Sequence, residues 1–348
     1  MKPMEEFLMP FEKIKRETIV KKESPISDKY GSAPHERSVE ELLKFGIMNV
    51  DKPKGPTSHQ VSAYVQKIMD ASKGGHSGTL DPKVTGVLPT AIGRATRVVQ
   101  ALLVAGKEYV CIMHLHKEVE EARVREVAGK FVGKIKQLPP IKSAVKRQVR
   151  ERRIYYLEIL DIVGQDVLFV VGCQAGTYIR KLCHDMGREL GTGAHMAELR
   201  RTKAGPFNEK TIVTLHDLTD AMWYLREEGN DKLLRHVVQP VENAVSHLPH
   251  IWVHDTTVDT LCHGAELAVP GISKFHSGIE KNQTVAVMTL KGELVALGEA
   301  RMSSIEMQKN DRGLAVKTRK VFMEPGTYPK MPKREEQMPK PKKRQQKK

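Results

Sequence analysis

The stretch GHSGTLDPKVTGVLP, residues 75–89, carries the strongest structural and chemical signal in the chain. It contains three glycines, two prolines and one carboxylate, Asp81, which directly precedes Pro82. Proline restricts the preceding residue to extended backbone, and glycine permits left-handed or closely packed backbone. The stretch therefore predicts a rigid, irregular loop that holds Asp81 in one orientation. An Asp-Pro step usually only starts a turn, but stiff loops of small residues often carry functional sites, and we interpret Asp81 as a chemical group.

Outward from this loop the sequence shows strand and helix patterns. Residues 45–50 predict a short strand, and Thr57 or Ser58 can cap a helix whose apolar residues recur at helical spacing up to Ile68. Further along, the patterns predict a buried helix at 95–104, a strand at 108–115, a helix at 118–131, a hairpin of strands 155–163 and 167–173, a helix ending at Gly191, and a helix at 215–228. After Pro240, short strands separated by turns predict a small β-barrel module of roughly 80 residues, with the domain boundary near residues 239–247.

The chain is long enough for two domains and is strongly basic. It has 348 residues, of which 40% are hydrophobic, and a formal net charge of +15. Residues 330–348 hold nine Lys and Arg against two Glu, so the tail carries +7 and the remainder of the chain +8. Such a basic body favours a polyanionic partner, most simply a nucleic acid. The alternative is that the Lys-rich tail is only a solvated chain end.

Several classes of protein and site are not indicated. The four cysteines lack a CxxC pair, which argues against a disulfide scaffold or a zinc ribbon. His114 and His116 share one face of a predicted strand, but Cys111 falls on the other face and no acidic ligand completes a set, so we expect no metal site. The sequence contains neither a phosphate-binding loop motif nor a dinucleotide-binding fingerprint, which argues against nucleotide-dependent chemistry. Because the sequence shows neither a membrane-length apolar run nor a signal peptide, we expect a soluble, cytoplasmic protein.

A basic region lies at residues 138–153, LPPIKSAVKRQVRERR, which hold six Lys and Arg and one Glu. Two prolines and a serine within it predict a loop. A cationic loop beside a carboxylate pocket suits the clamping of a phosphate backbone, and the side chains expected to bind RNA are Lys142, Lys146, Arg147 and Arg150. The alternative is a solvated surface loop.

Three other segments can converge on Asp81. Tyr109 lies at the start of a predicted strand, Tyr178 and Arg180 lie on a glycine-led loop before a helix, and Leu199 precedes a Gly-Pro turn. A neighbouring arginine favours the ionised form of a carboxylate nucleophile, and a tyrosine can stack on a planar base or handle a proton. The spacing does not establish proximity, and by composition alone a Tyr/Arg pair is more often structural than catalytic.

Taken together, these motifs resemble those of the TruB-type pseudouridine synthases. The matching motifs are GHSGTLDPKVTGVLP at 75–89, GRATR at 93–97, KEYV at 107–110, GTYIRKL at 176–182 and HMAELRRTKAGPF at 195–207. The segments LPPIKSAVKRQVRERRIYYLEIL, HGAELAVPGI and VAVMTLKGELVALGEA are more similar to the archaeal homologues of dyskerin, the catalytic subunits of H/ACA ribonucleoproteins. The resemblance covers residues 45–322.

The resemblance implies an α+β fold. It implies a pseudouridine synthase catalytic domain with a mixed, mainly antiparallel central sheet flanked by helices and loops, and a small C-terminal β-barrel-like PUA domain. The implied division is an N-terminal arm at 1–40 that packs on the PUA domain, the catalytic domain at 41–246, the RNA-binding PUA domain at 247–325, and a basic, disordered tail at 326–348.

The resemblance also implies roles for single residues. Asp81 resembles the catalytic aspartate that attacks the target uridine, Tyr109 the tyrosine that stacks on the uracil and takes part in proton transfer, and Arg180 the arginine paired with that aspartate. The residues that resemble pocket-lining, substrate-binding or loop-bracing positions are His76, Tyr178, Leu199 and Lys52. The implied reaction is an isomerisation that needs no cofactor and no metal.

The implied partners are an H/ACA guide RNA, a substrate RNA and small accessory proteins. The accessory proteins would be zinc-ribbon-like and split-barrel subunits on the catalytic domain, and a kink-turn-binding protein of ribosomal type that is reached through the RNA. The predicted function is guide-RNA-directed conversion of uridine to pseudouridine in rRNA, and in tRNA as a further substrate. Two alternatives stay open: a stand-alone tRNA pseudouridine synthase, and a non-catalytic RNA-binding scaffold.

Overall fold

The computed structural model describes residues 7–138 and 148–330. The helices are α1 (Val39–Phe45), α2 (Ser58–Ile68), α3 (Val99–Val104), α4 (Glu121–Lys130), α5 (Ile179–Leu190), α6 (Leu215–Glu228), α7 (Lys232–Val237), α8 (Asp255–Cys262) and α9 (Ser304–Lys309). The strands are β1 (Thr18–Val20), β2 (Gly46–Lys52), β3 (Gly74–His76), β4 (Thr85–Ile92), β5 (Lys107–Leu115), β6 (Gly133–Gln137), β7 (Arg150–Val163), β8 (Asp166–Cys173), β9 (Ala194–Ala204), β10 (Phe207–Asn208), β11 (Gln239–Pro240), β12 (His250–Val253), β13 (Leu267–Ala268), β14 (Ile272–His276), β15 (Thr284–Met288), β16 (Leu294–Ala300) and β17 (Leu314–Val321).

The chain divides into two compact units. Within the described residues, the first unit contains the chain up to Lys15 and from Pro34 to Leu248, and the second contains Arg16–Ala33 and the chain from Pro249 onward. The N-terminal segment is therefore shared between the two units. No helix of the described residues is both long and apolar enough to cross a membrane.

A large mixed sheet forms the centre of the first unit. Its described strands run in the order β11-β2-β4-β9-β5-β8-β7-β6, with β3 beside β4 and β10 beside β9. The pair β4–β9 is parallel, and the other pairs of this sheet are antiparallel. This arrangement confirms the predicted α+β class with a mixed, mainly antiparallel sheet. It also places β9 between β4, which follows the Asp81 loop, and β5, which carries Tyr109.

Helices cover this sheet through two buried apolar clusters. One cluster joins α1, α2, α6 and α7 to β2 and β4, and the other joins α4 and α5 to β5, β7 and β8. α2 begins where the sequence predicts, because the Thr57 hydroxyl accepts a hydrogen bond from the Gln60 N–H. α5 ends at Gly191, whose φ of 78° lies in the left-handed region that glycine adopts at helix C-termini.

The second unit is a seven-stranded sheet around its own apolar core. The strand order is β1-β14-β12-β15-β16-β17-β13, with β12 and β15 parallel. Ile19 of β1 pairs with Phe275 of β14, so the short N-terminal strand completes one edge of the sheet. The Tyr328 hydroxyl donates to Glu293 Oε2 at 2.5 Å and closes the C-terminal side of the same core. These strands confirm the small β-rich module predicted after Pro240.

Two local predictions are wrong, and one strand was not predicted. The expected irregular loop at 75–89 is shorter, because β3 ends at His76 and β4 begins at Thr85. The loop expected at 138–153 does not extend to its predicted end, because β7 begins at Arg150, which pairs with Gln137 of β6. The sequence reading assigned no strand to residues 194–204, yet β9 pairs with both β4 and β5. Its charged residues conceal the apolar alternation by which strands are recognised.

Candidate active site

The backbone on both sides of Asp81 is held by two buried side chains. The Ser58 hydroxyl accepts from the Leu80 N–H at 2.8 Å and donates to the Leu80 carbonyl at 3.2 Å. The Lys52 ammonium, which is fully buried, donates to the carbonyls of Pro53, Pro82 and Val84 at 2.9, 3.1 and 2.8 Å. Residues directly before and after Asp81 are therefore fixed, while its carboxylate projects into a cavity.

Asp81 is paired with an arginine from a distant part of the chain. Arg180 Nη2 lies 3.1 Å from Asp81 Oδ2, and the two side chains are 52% and 46% exposed. Arg180 lies in the first turn of α5, directly after the loop 174–178. The pair is open to solvent, so a ligand that enters the cavity can reach the carboxylate.

The cavity has a volume of about 590 Å³. It brings together the three residues predicted as catalytic and two of those predicted to bind substrate. The full lining is Gly78, Thr79, Leu80, Asp81, Val84, Leu103, Lys107, Tyr109, Gly176, Thr177, Tyr178, Ile179, Arg180, Leu199 and Arg201. Cavities of this size suit a ligand as large as a nucleoside.

Lys52 and His76 do not line the cavity. Lys52 braces the Asp81 loop from beneath. His76 lies on β3, and its Nδ1 accepts a hydrogen bond from the Gly78 N–H at 3.3 Å. Burial, with smaller effects from His59 and Arg201, lowers the pKa of His76 to about 4, so the imidazole is neutral near pH 7.

Tyr109 faces a buried arginine that the sequence reading did not select. Arg201 on β9 is paired with Tyr109 on β5, and its guanidinium is near enough to influence the pKa of the phenol. Burial raises the pKa of Tyr109, while the positive charge of Arg201 acts in the opposite direction. The phenol is therefore mainly protonated at neutral pH, with the positive charge of Arg201 beside it.

Lys107 is a second cavity residue that the sequence reading missed. Its ammonium donates to the carbonyls of Leu102, Leu103 and Ala105 at 2.7, 3.0 and 2.7 Å. Burial, assisted by Arg201, lowers the pKa of Lys107 to about 7. Residues two apart on a strand share a face, so the position of Tyr109 in the cavity also places Lys107 there. Once β9 is recognised as a strand, the same rule places Arg201 on the cavity face together with Leu199.

The predicted RNA-binding loop is only partly described. Lys142, Lys146 and Arg147 lie outside the described residues, and Arg150 is the first residue of β7. At the other end of β5, His114 Nδ1 lies 2.7 Å from Asp166 Oδ1, and His116 Nε2 lies 3.2 Å from His195 Nδ1. In the part of the chain with assigned structure, no group of three or more His, Cys, Asp or Glu side chains is arranged to hold a metal ion.

Comparison with protein families accounts for nearly the whole described chain. Residues 66–179 match the N-terminal domain of TruB family pseudouridylate synthases, and 180–246 match the C-terminal domain of tRNA pseudouridylate synthase B. Residues 249–322 match the PUA domain, and 8–62 match the DKCLD domain. The probable tRNA pseudouridine synthase B of Methanopyrus kandleri is 57% identical over 92% of this chain and 95% of its own.

The chain belongs to the TruB family of pseudouridine synthases. It is therefore an isomerase that acts on RNA. A similar relative, the probable tRNA pseudouridine synthase B of Pyrococcus furiosus, is 54% identical over 91% of this chain and 94% of its own. The PUA module and the α+β catalytic unit match the architecture predicted from the TruB-type motifs.

Two solved structures share the fold of this TruB-family chain. A chain in a crystal structure of a Cbf5-Nop10-Gar1 complex superposes with a TM-score of 0.89 and 53% identity, covering 93% of this chain and 98% of that one. A chain in the structure of an H/ACA RNP bound to a substrate RNA containing 2'-deoxyuridine superposes with a TM-score of 0.88 and 51% identity, covering 93% of this chain and all of that one.

Proposed function

We propose that Asp81 is the nucleophile with which this enzyme converts uridine to pseudouridine in RNA. The observation that carries the proposal is the Asp81 carboxylate in the cavity, 3.1 Å from Arg180 and surrounded by Tyr109, Tyr178 and Leu199. Arg180 places a positive charge beside the carboxylate from which the attack would come. The aromatic and aliphatic side chains provide faces on which a planar uracil can stack.

The proposed reaction is balanced without any co-reactant. An Asp81 oxygen bonds to C6 of the uracil or to C1′ of the ribose, and the N1–C1′ bond breaks. The uracil rotates, a C5–C1′ bond forms, Asp81 is released, and the proton lost from C5 is replaced by one gained at N1. Tyr109 stacks on the base and, in its phenolate form, is the group proposed to take the C5 proton. No electrons are transferred to or from the substrate, so we propose that the reaction uses no cofactor.

The target uridine must leave its base stack to reach Asp81. For an enzyme that acts on a base in RNA or DNA, unstacking the base costs a few kcal/mol of free energy, which contacts in the pocket offset. We assign these contacts to Tyr109, Tyr178 and Leu199. Lys52 and His76 are proposed to hold the loop behind Asp81. We assign backbone clamping to Lys142, Lys146, Arg147 and Arg150, whose positive charges suit a phosphate chain.

We propose that an H/ACA guide RNA selects the target uridine in rRNA. The similar chains in structures of a Cbf5-Nop10-Gar1 complex and of an H/ACA RNP support this assignment. On this basis the partners are guide RNA, substrate RNA, zinc-ribbon-like and split-barrel proteins on the catalytic unit, and a kink-turn-binding protein that joins through the RNA. The second unit, which matches a PUA domain, would hold the guide RNA.

A second candidate function is modification of tRNA without a guide. It is favoured by the relatives named probable tRNA pseudouridine synthase B, which are more than half identical to this chain over nine-tenths of its length. The two functions use the same catalytic residues. They differ in how the substrate uridine is recognised, and this difference can be measured directly.

The test is to incubate the purified full chain with a target RNA or a tRNA transcript, with and without guide RNA and accessory proteins. Pseudouridine is detected by chemical labelling that stops reverse transcription. Product in the target RNA only with the guide supports the guided function, and product in tRNA with the chain alone supports the second candidate. RNA binding without product under every condition would contradict both and favour the non-catalytic scaffold.

A further inference from the structure

Arg201 occupies a position that connects the Asp81 loop with Tyr109. On β9 it is paired with Gly86 of β4 on one side and with Tyr109 of β5 on the other. Its side chain is 1% exposed. Burying a guanidinium at such a position has a large desolvation free energy, which is offset only when the charged group is well paired.

The hydrogen-bond partners of Arg201 are backbone carbonyls rather than a carboxylate. Nε donates to the Val87 carbonyl at 2.7 Å, and Nη2 donates to the Gly78 carbonyl at 3.4 Å. The neighbouring Tyr109 phenol, on the paired strand, acts on the pKa of the same guanidinium. Val87 and Gly78 lie on opposite sides of Asp81 in the sequence, so one planar group spans the base of the loop and reaches the neighbouring strand.

We propose that Arg201 is a positioning residue that fixes the Asp81 loop relative to Tyr109 and favours the phenolate form of Tyr109, which can accept a proton. The proposal rests on the proposed roles of Asp81 and Tyr109. The planar fork of arginine presents several donors in a fixed geometry, which suits simultaneous contact with two backbone carbonyls of the loop. The fixed positive charge next to Tyr109 favours its phenolate form without reorganisation during the reaction.

The charges around Tyr109 agree with this role. Arg201 lies opposite it on β9, Asp81 on the adjoining loop, Cys173 on β8 and Lys107 on its own strand. Burial, Cys173 and Asp81 raise the pKa of Tyr109, and Arg201 is the group that lowers it. Removing the positive charge of Arg201 therefore raises the pKa of Tyr109 further, so that less of the proton-accepting phenolate is present at a given pH.

The first test compares Arg201→Gln with Arg200→Gln in single-turnover formation of pseudouridine across a range of pH. Arg200 is the matched control, because its guanidinium binds Asp51 at 3.0 Å and Glu209 at 2.6 Å instead of cavity groups. We expect Arg201→Gln to lower the rate about 100-fold, as misplacement of reacting groups does. RNA affinity should stay within about twofold of the wild-type value, and the pH at which the rate rises should move upward.

Two results of this comparison would overturn the proposal. One is an unchanged rate in Arg201→Gln. The other is a loss of rate that is equal at every pH, or that is matched by Arg200→Gln, because either pattern indicates general structural support. If the wild-type chain forms no pseudouridine, the proposed function fails, and the role of Arg201 is then judged from the second test alone.

The second test does not need an Arg201 variant to fold. In the wild-type chain and in Tyr109→Phe, the Arg201 guanidinium N–H resonances are observed by NMR with labelled arginine. Loss of the phenol oxygen should shift the Nη–H resonances and speed their exchange with water, whereas the Nε–H, which donates to the Val87 carbonyl, should change little. Unchanged Nη–H resonances with unchanged exchange refute the contact on which the coupling depends.

Discussion

Replacing Asp81 by Asn separates chemistry from structure. The substitution keeps the shape of the side chain and removes its charge. Arg180 is the ion-pair partner that loses its contact, at a distance of 3.1 Å in wild type. We expect pseudouridine formation to fall by at least about 10⁴-fold, since an amide cannot replace a nucleophilic carboxylate and loss of a nucleophile has effects of this size or larger.

The cost to folding should be small, and the structure sets its size. Two unit charges 3.1 Å apart attract each other by about 1 kcal/mol in a water-like medium. Both side chains are roughly half exposed, so solvent and the entropy of the long arginine side chain reduce this further. The free energy of unfolding should therefore drop by less than about 1 kcal/mol. RNA affinity should stay within about threefold, because the backbone contacts that hold the loop are made by Lys52 and Ser58.

Three measurements on the variant decide the matter: single-turnover product formation, RNA binding by filter retention, and urea denaturation. Asp231→Asn is the control, because Asp231 also pairs with an arginine, Arg235, at 2.7 Å and is 35% exposed, but lies outside the cavity. It should show the same small loss of stability with full activity. Retained turnover in Asp81→Asn would falsify the assignment of the nucleophile. Unfolding or lost RNA binding would instead make Asp81 a structural residue.

Three further outcomes are expected. Replacing Lys146, Arg147 and Arg150 by neutral residues should weaken RNA binding and reduce the slope of log affinity against log salt concentration by about 2 to 3. An unchanged slope would show that these three residues do not contact the RNA. His76 binds its proton less readily in the folded chain, with a pKa of about 4, than in the unfolded chain. Wild-type stability should therefore fall as pH drops from 6.5 to about 4, and His76→Gln should flatten that fall by less than about 1.4 kcal/mol per pH unit. If the stabilities of wild type and His76→Gln from urea denaturation change in parallel with pH, this prediction is refuted. Arg37 and Glu242 form a buried pair with two 2.7 Å hydrogen bonds, so Arg37→Met should cost about 3–5 kcal/mol in urea denaturation, and a loss under about 1 kcal/mol would contradict the argument.

The architecture was predictable where local signals agree with the fold. The Thr57 cap, the hairpin of β7 and β8, and α6 at Leu215–Glu228 all follow from capping residues and periodicity. The missed strands carry weaker local signals. β9 is charged or half-exposed over much of its length, and its strand form depends on pairing with β4 and β5. Such non-local pairing overrides local preference and cannot be read from one segment.

The site divides in the same way. Asp81, Tyr109 and Arg180 could be selected because their motifs are specific, but their meeting in one cavity depends on strand order. Lys107 and Arg201 lie within the KEYV and HMAELRRTKAGPF motifs, but in a basic chain the residue types lysine and arginine do not by themselves indicate burial. Their burial becomes evident only when β9 enters the sheet. A buried basic side chain at a functional site is thus found through its partners, not through its residue type.

The glycines of the Asp81 motif show why that stretch requires a partner strand. Gly86 has a φ of 103°, and a Cβ there would lie 2.2 Å from the Arg201 carbonyl oxygen. Glycine at this position permits both the unusual backbone and the close approach of β9. Gly78, with a φ of 130°, offers its carbonyl to the Arg201 guanidinium. The motif and β9 therefore form one structural unit. The glycines allow β9 to pack closely against the motif, and Arg201 of β9 hydrogen-bonds carbonyls of the motif on both sides of Asp81.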